Sequence, residues 1–493
     1  MRMLKRILLM KILKWILIFN LKKILLMKNT IKILLLNCFI ASSLISFAED
    51  RNVIWVHGFI GDATAWTIYD NQYAGSSQSG TRQMNGVRVD YSDIGSNGLP
   101  DFFNGFATAS ANIEGDIPAL LGTTQATNSQ NIAVCHSMGG LVTRHLQRER
   151  QLTNQPQFFG GFITVGSSNQ GASLANSVAN GDAANFINHG INEMSAPLLP
   201  SALGIFIQAV DVTKITNLLD NNLLKLLHNG NLNATVTDLS AGSNALNILN
   251  THNSTLTMPR IAIETYETSP VHWRAISAAT SSSSNGIANI DDTKYVNIMQ
   301  TARGVYNVFR IINSVKAVTY GVAGFFNPIA FALSANSAFK AIQWHRGVVW
   351  MDNSESMWNA LLDCQEIVTT TTTTTTSLLN QMCGSYMTGT PPWIQCFNQV
   401  CNGDINNCPT FTQTQTSTVI VRHKNDGIVC QNDMQLDGVC DVLTPGRGVN
   451  HFEQRNTQNG TTENGNDEMD RLFTTIWDGN TNVSCNFFKV DKR

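Results

Sequence analysis

The stretch "NIAVCHSMGGLV", residues 131–142, decides how the chain is read. Ile132 to Cys135 form a short apolar strand, His136-Ser137 make a tight turn, and Met138 opens a helix that continues through "VTRHLQRER". A serine on such a turn stands exposed at the edge of a sheet on strained backbone. Glycines beside it make room for neighbouring main chain. Gly139 and Gly140 occupy two such places. Cys135, two residues before the serine, stands where a third glycine is expected; it is small and tolerates burial, so the turn survives it.

Outward from this turn, "NVIWVHGF" (52–59), "GVRVDYSD" (86–93) and "FFGGFITVGSS" (158–168) read as strands, and "ASANIEGDIPALLG" (109–122) as a helix despite Pro118. Apolar strands alternating with helices indicate a parallel sheet covered on both faces. From about residue 172 the spacing turns helical, over 174–194 and 202–227, and "PRIAIETYET" (259–268) returns to the sheet. Residues 304–341 are unusually apolar, but Arg310, Lys316 and the Asn327-Pro328 break argue against a membrane-spanning helix. Two helices joined near Pro328 fit better, in a cap core or in a mobile lid that touches membrane. The threonine tract Thr369–Thr376 reads as an exposed low-complexity loop, and "STVIVRHKNDGIV" (417–429) as a last strand with a loop after it.

The 493 residues carry a formal net charge of −2, and only 14% are charged, which excludes a general nucleic-acid role because that needs a basic face. Residues 27–48 have a basic start, an apolar middle and a small-residue end at Ser46-Phe47-Ala48. That is a secretory signal, with cleavage expected before Glu49 and translation expected to begin at Met27; a retained leader over 1–26 is the alternative. Export implies a secreted, periplasmic or cell-surface protein. Of ten cysteines, Cys38 leaves with the signal, and Cys364, Cys383, Cys396, Cys401, Cys408, Cys430, Cys440 and Cys485 form an even set that suggests disulfides. Cys430–Cys440 is the shortest plausible bridge near the site. Zinc at Cys396, Cys401 and Cys408 competes weakly, since the C-x4-C-x6-C spacing is unfamiliar. Cys135 is left over as a buried free thiol.

A serine hydroxyl needs a base, a group that orients the base, and donors for the oxyanion it creates. In the order oxyanion loop, serine, acid, histidine, the sequence offers His57-Gly58, Ser137, Asp426 and His451. The oxyanion donors fall on the backbone N–H groups of Phe59 and Met138. Only His451 follows Asp426, and Asp426 lies just after a strand-like run; Glu264, Glu267, Asp433, Asp437 and Asp441 remain alternatives for the acid. His57 and His136 pack or orient, and His145 is structural.

These residues resemble the bacterial lipase branch of the α/β-hydrolase superfamily. "VHGFIGDATAW" is similar to its oxyanion loop, "CHSMGGLVTRH" to its HSxGG elbow, and "NDGIV" with "NHFEQRN" to its paired acid and histidine loops. "FITVGSSNQGASLAN" is similar to a further family stretch, with Ser167, Ser168 and Asn169 in place of T-P-H, and "DLSAGSNALNILN" (238–250) to a stretch of lipase and deacylase relatives. The resemblance covers roughly 51–175, 238–275 and 417–456. It implies an α/β-hydrolase fold, mostly parallel with helices on both faces, with a large, mainly helical cap or lid insertion and a disulfide-rich C-terminal part. Together with the residue patterns, the expected division is a signal over 1–48, core over 49–175, a helical insertion over 176–258, a core strand over 259–275, a cap or lid with a threonine-rich loop over 276–416, which matches nothing in the family, and core again over 417–493. It further implies hydrolysis of carboxylic esters, lipid esters above all, at a lipid–water interface and without an organic cofactor. An acyltransferase, a glycolipid deacylase and a degenerate surface interaction protein are the alternatives. Some secreted lipases of this kind carry a structural calcium held by an aspartate two residues past the histidine; that place is Glu453 here, and the pattern around it diverges.

Overall fold

The computed structural model describes residues 51–59, 61–74, 82, 84–94, 101–195, 234–268, 272–274, 294–324, 328–385, 388–455 and 466–491. The signal segment 1–48 and the helix expected over 202–227 lie outside the described residues.

Six strands make one parallel sheet: β1 Arg51–Val56, β2 Met84–Val89, β3 Ile132–His136, β4 Gly161–Val165, β5 Arg260–Ile263 and, late in the chain, β8 Asp441–Leu443. Their order is β2-β1-β3-β4-β5-β8, with every neighbouring pair parallel. The central strands are apolar on both sides because both faces are covered. Val53 and Trp55 face one layer with Ile132 and Val134, whereas Ile54 and Val56 face the other with Ala133 and Cys135. The first layer holds Trp66, Tyr69 and the C-terminal helix α9, Asn466–Trp477, through Phe473 and Trp477. The second holds α1, Phe106–Leu121, α2, Met138–Leu152, and α5, Asn244–Asn253, through Ile113, Leu141, Leu146 and Leu249. Between α2 and α5 the chain adds α3, Ser173–Ala179, and α4, Asp182–Ser195. This is the α/β-hydrolase fold, with helices on both faces of a parallel sheet.

The connection from β5 to β8 carries two additions. The first is a helical hairpin, α6 Lys294–Gly324 and α7 Pro328–Leu361, broken at Pro328 as its sequence requires. Trp344, Trp350 and Trp358 of α7 seat its base against the second core layer. The second is an antiparallel ribbon, β6 Gln365–Ser377 with β7 Thr410–Arg422, capped by a disulfide-stapled turn that includes α8, Pro391–Cys401.

The ribbon corrects two expectations. The threonine tract is a strand rather than a loop, exposed over Thr369–Thr374: Thr369, Thr371, Thr373 and Thr375 pair with Thr418, Thr416, Thr414 and Thr412. Threonine is β-branched, so a run of it prefers extended pairing wherever a partner strand is supplied. The run 417–422 likewise belongs to the ribbon and not to the core sheet, so the boundary expected at 416/417 falls inside β7.

The eight late cysteines pair as Cys364–Cys430, Cys383–Cys396, Cys401–Cys408 and Cys440–Cys485. This replaces the Cys430–Cys440 bridge and the zinc alternative alike. Cys430 reaches back across the ribbon to the end of α7, while Cys440 lies against the C-terminal turn at Val483–Phe488; nearness in sequence is not nearness in space. Cys135 is free and buried. Among the described residues no helix is long and apolar enough to cross a membrane.

Candidate active site

Ser137 sits between the end of β3 and the first turn of α2 at φ 53°, ψ −128°, a strained backbone for a residue with a side chain. Its N–H donates to the Val165 carbonyl at the end of β4, 3.0 Å away, which pins the turn to the sheet edge. The glycines around it are steric necessities. A Cβ on Gly139 would lie 2.4 Å from the His57 carbonyl oxygen, and one on Gly58 would lie 2.7 Å from Ser137 Cβ. Cys135 meets no such wall: its side chain enters the layer under α2, and Sγ lies 3.1 Å from Thr143 Oγ1. Burial pushes its thiol up to about 12, so it stays protonated.

The three residues of the expected triad come together although 314 positions separate the serine from the histidine. His451 Nε2 is 2.8 Å from Ser137 Oγ, and His451 Nδ1 is 2.7 Å from Asp426 Oδ2. With Nδ1–H donating to the carboxylate, Nε2 is left to accept from the serine hydroxyl. Asp426 is fully buried and its Oδ1 accepts the N–H groups of Ile428 and Val429 at 3.1 and 2.8 Å. Its Oδ2 also accepts from Gln454 Nε2 at 2.6 Å and Thr265 Oγ1 at 3.3 Å. The backbone of His451 donates to the Asp426 carbonyl at 2.9 Å, so the Asp426 and His451 loops are fastened by main chain as well as by side chain.

Asp426 does not follow a core strand as its sequence suggested. It follows the ribbon, and its loop is held from outside: Trp358 Nε1 donates to Gly427 O at 2.8 Å, Asn425 Nδ2 to Asn359 Oδ1 at 2.7 Å, and Cys430 is bonded to Cys364. Of the other carboxylates named for this role, three are engaged elsewhere: Glu267 pairs with Arg274 at 2.8 Å, Asp441 accepts from the Asn482 N–H at 3.0 Å, and Glu264 hydrogen-bonds the Gln431 side chain.

His136 occupies a place beyond packing. Its Nε2–H donates to the His451 carbonyl at 2.8 Å and its ring lies 4.7 Å from that of His451. Burial, then the neighbouring His451 and Arg455, hold it well below the usual histidine range, so it is neutral. His57 stacks on Tyr91 at 3.9 Å, and its carbonyl accepts the Tyr91 hydroxyl, which fixes the strand end carrying Gly58 and Phe59. Met138 is the first residue of α2, at the helix terminus where N–H groups have no intrahelical partner. Gln454 and Thr265 were not singled out in the sequence. Gln454 was within reach of such reasoning, three residues past the histidine, whereas Thr265 comes from a segment 186 residues earlier.

Glu453 does not fit a calcium site. It is buried, its Oε2 accepts the Asn450 N–H at 3.1 Å within its own turn, and among the described residues no group of three His, Cys, Asp or Glu could hold a metal ion.

No family model matches the chain, and no curated protein matches it. Among solved structures it is similar to phospholipase PlaB from Legionella pneumophila, 13% identical over 45% of this chain and 40% of that one, with a TM-score of 0.27. It is also similar to the peroxisomal alpha-beta-hydrolase Lpx1 from Saccharomyces cerevisiae, 13% identical over 43% and 61%, TM-score 0.26. An esterase from Exiguobacterium antarcticum is 14% identical over 44% and 73%, TM-score 0.23. The chain thus spans two fifths of PlaB and three fifths of Lpx1. Its fold is carried by its own strand order and elbow, not by these likenesses.

Proposed function

We propose that the protein is an exported serine hydrolase that cleaves carboxylic esters of lipids through an acyl-serine intermediate. The observation that carries this reading is the continuous chain Ser137 Oγ, His451 Nε2, His451 Nδ1, Asp426 Oδ2, with contacts of 2.8 and 2.7 Å. Ser137 Oγ attacks the ester carbonyl while His451 Nε2 takes its proton. The imidazolium so formed is stabilised by Asp426, and the tetrahedral oxyanion by the N–H groups of Phe59 and Met138. His451 then returns the proton to the leaving alcohol, and water repeats the sequence on the acyl-serine. His136 and Gln454 are positioning residues, one on the His451 backbone and one on the Asp426 carboxylate. Four disulfides support an oxidising, exported setting, and the apolar hairpin supports a lipid over a small soluble ester.

Covalent labelling by a fluorophosphonate probe tests the reading, because only an activated serine reacts. The wild-type chain is expected to label and to hydrolyse medium- and long-chain nitrophenyl esters. Ser137→Ala is expected to lose labelling and to lower kcat by about 10³-fold or more. Hydrolysis that survives Ser137→Ala would overturn the assignment.

A further inference from the structure

The α6–α7 hairpin is an arm whose chemistry changes along its length. At its base it is polar and ion-paired: Arg303 with Asp352 at 2.5 Å, and Arg346 with Glu193 through Nε at 2.6 Å. Its inner seam is apolar and closed, with Tyr306 and Phe309 against Trp344 at 4.7 and 5.0 Å and Ser334 Oγ donating to Ala317 O at 2.8 Å. The outer surface is apolar too, and it is exposed. Val308, Ile311, Ile312, Val315, Val318 and Phe339 are between 40% and 69% open to solvent. Of the twenty large hydrophobic residues exposed among the described residues, nine lie on these two helices, so the apolar excess belongs to the arm and not to the surface at large.

Charge is distributed to match. Between Lys316 and Lys340 the sequence carries no charged residue at all. Arg310, Lys316 and Lys340 precede or follow this run, and none forms an ion pair among the described residues. The Ser334–Ala317 contact sets the pairing of the helices, and it places Arg310 and Lys340 at about one level with Lys316 further out. The result is a collar of three cations around an uncharged end. Depth follows from helix rise: α6 continues eight residues past Lys316, ~12 Å, and fourteen past Arg310, ~21 Å. A bilayer core is about 30 Å thick, so such an end reaches through one leaflet and no further.

We propose that this arm docks the protein on an anionic lipid surface, its uncharged end in one leaflet and its collar at the headgroups. The occupant is a membrane rather than a second copy because a cationic collar placed against its own copy repels, whereas against anionic headgroups each charge adds attraction. The docking deepens the lipid-ester reading, since the base of α7 is bonded to the acid loop through Trp358 and Gly427. It also stands apart from the chemistry and is tested separately.

The full chain is sedimented with phosphatidylcholine vesicles with and without phosphatidylglycerol, alongside hydrolysis of a soluble short-chain nitrophenyl ester. Binding is expected to vesicles that contain phosphatidylglycerol and to be about tenfold weaker or more without it. Val315→Glu with Val318→Glu should abolish binding, and Lys316→Glu with Lys340→Glu should remove the preference for anionic lipid. Both pairs should leave soluble-ester hydrolysis unchanged. Ser137→Ala should bind vesicles as the wild type does, so a failed esterase assignment leaves this test standing. Wild type that does not bind, binding that survives the Val315/Val318 pair, or a dimer in light scattering that this pair dissociates would each overturn the proposal.

Discussion

Cys135 and Gly139 are each two residues from Ser137, yet only one of them is replaceable. A methyl group at 139 would meet the His57 and Val56 carbonyl oxygens at 2.4 and 3.0 Å, and backbone on both sides cannot yield. Gly139→Ala is therefore expected to lose both probe labelling and stability, by several kcal/mol in a denaturant titration. Cys135→Gly removes a buried side chain and its contact with Thr143 but opens no clash. It should keep labelling and cost about 1–2 kcal/mol of stability. Asp433 gives a pH test. Burial, then the nearby Asp363, raise its carboxyl to about 7, against an ordinary value of 3.8. The folded state thus holds a proton that the unfolded state has lost. This contribution is intact below about 4 and disappears as pH rises towards 7. Asp433→Asn keeps an acceptor for the Ser173 N–H and should stabilise the fold by ~1–2 kcal/mol at pH 8, after allowance for solvent screening, seen as a raised melting temperature that is unchanged near pH 4.

At the scale of elements, the residues of the site were legible where their signals were local. The strand, Ser137 and helix lie within a dozen residues, and the order of Asp426 and His451 left little choice of base. The strand before Asp426 was misread for a physical reason: "STVIVR" carries a continuous apolar run, Val419-Ile420-Val421, as a core strand does, but its partner is a threonine run that reads as low complexity. The core strand that completes the sheet, β8, is only three residues long, too short for any periodicity to show. Disulfide pairing was beyond sequence because four bridges among eight cysteines admit about a hundred arrangements. The hairpin was legible because residues 304–341 are long and unusually apolar and Pro328 breaks them at a defined point. What sequence did not separate was a closed cap from an exposed arm, since the same apolar residues serve either.

For the whole molecule, the sheet fixes Ser137 and the loop at Phe59, while Asp426 comes from a long excursion between β5 and β8 that leaves the body and returns. The ribbon within it closes at one point. Cys364 and Cys430 are bonded with Cα atoms 5.6 Å apart, and the His423 N–H donates to the Cys364 carbonyl at 2.9 Å. Stability of the acid loop is thereby independent of what the ribbon carries beyond it. Adding two threonines within Thr369–Thr376 and two residues within the facing part of β7 keeps every side chain on its face. Such a variant should label with the probe at the wild-type rate; slowed labelling would show that the ribbon's length reaches the triad.

Eight identical side chains in a row give the threonine tract no internal mark of register, and in a core strand a slip of one residue would turn every side chain to the other face. Here the change runs outward, away from a gate that is bolted shut. The Cys364–Cys430 bridge stands between such a slip and Asp426.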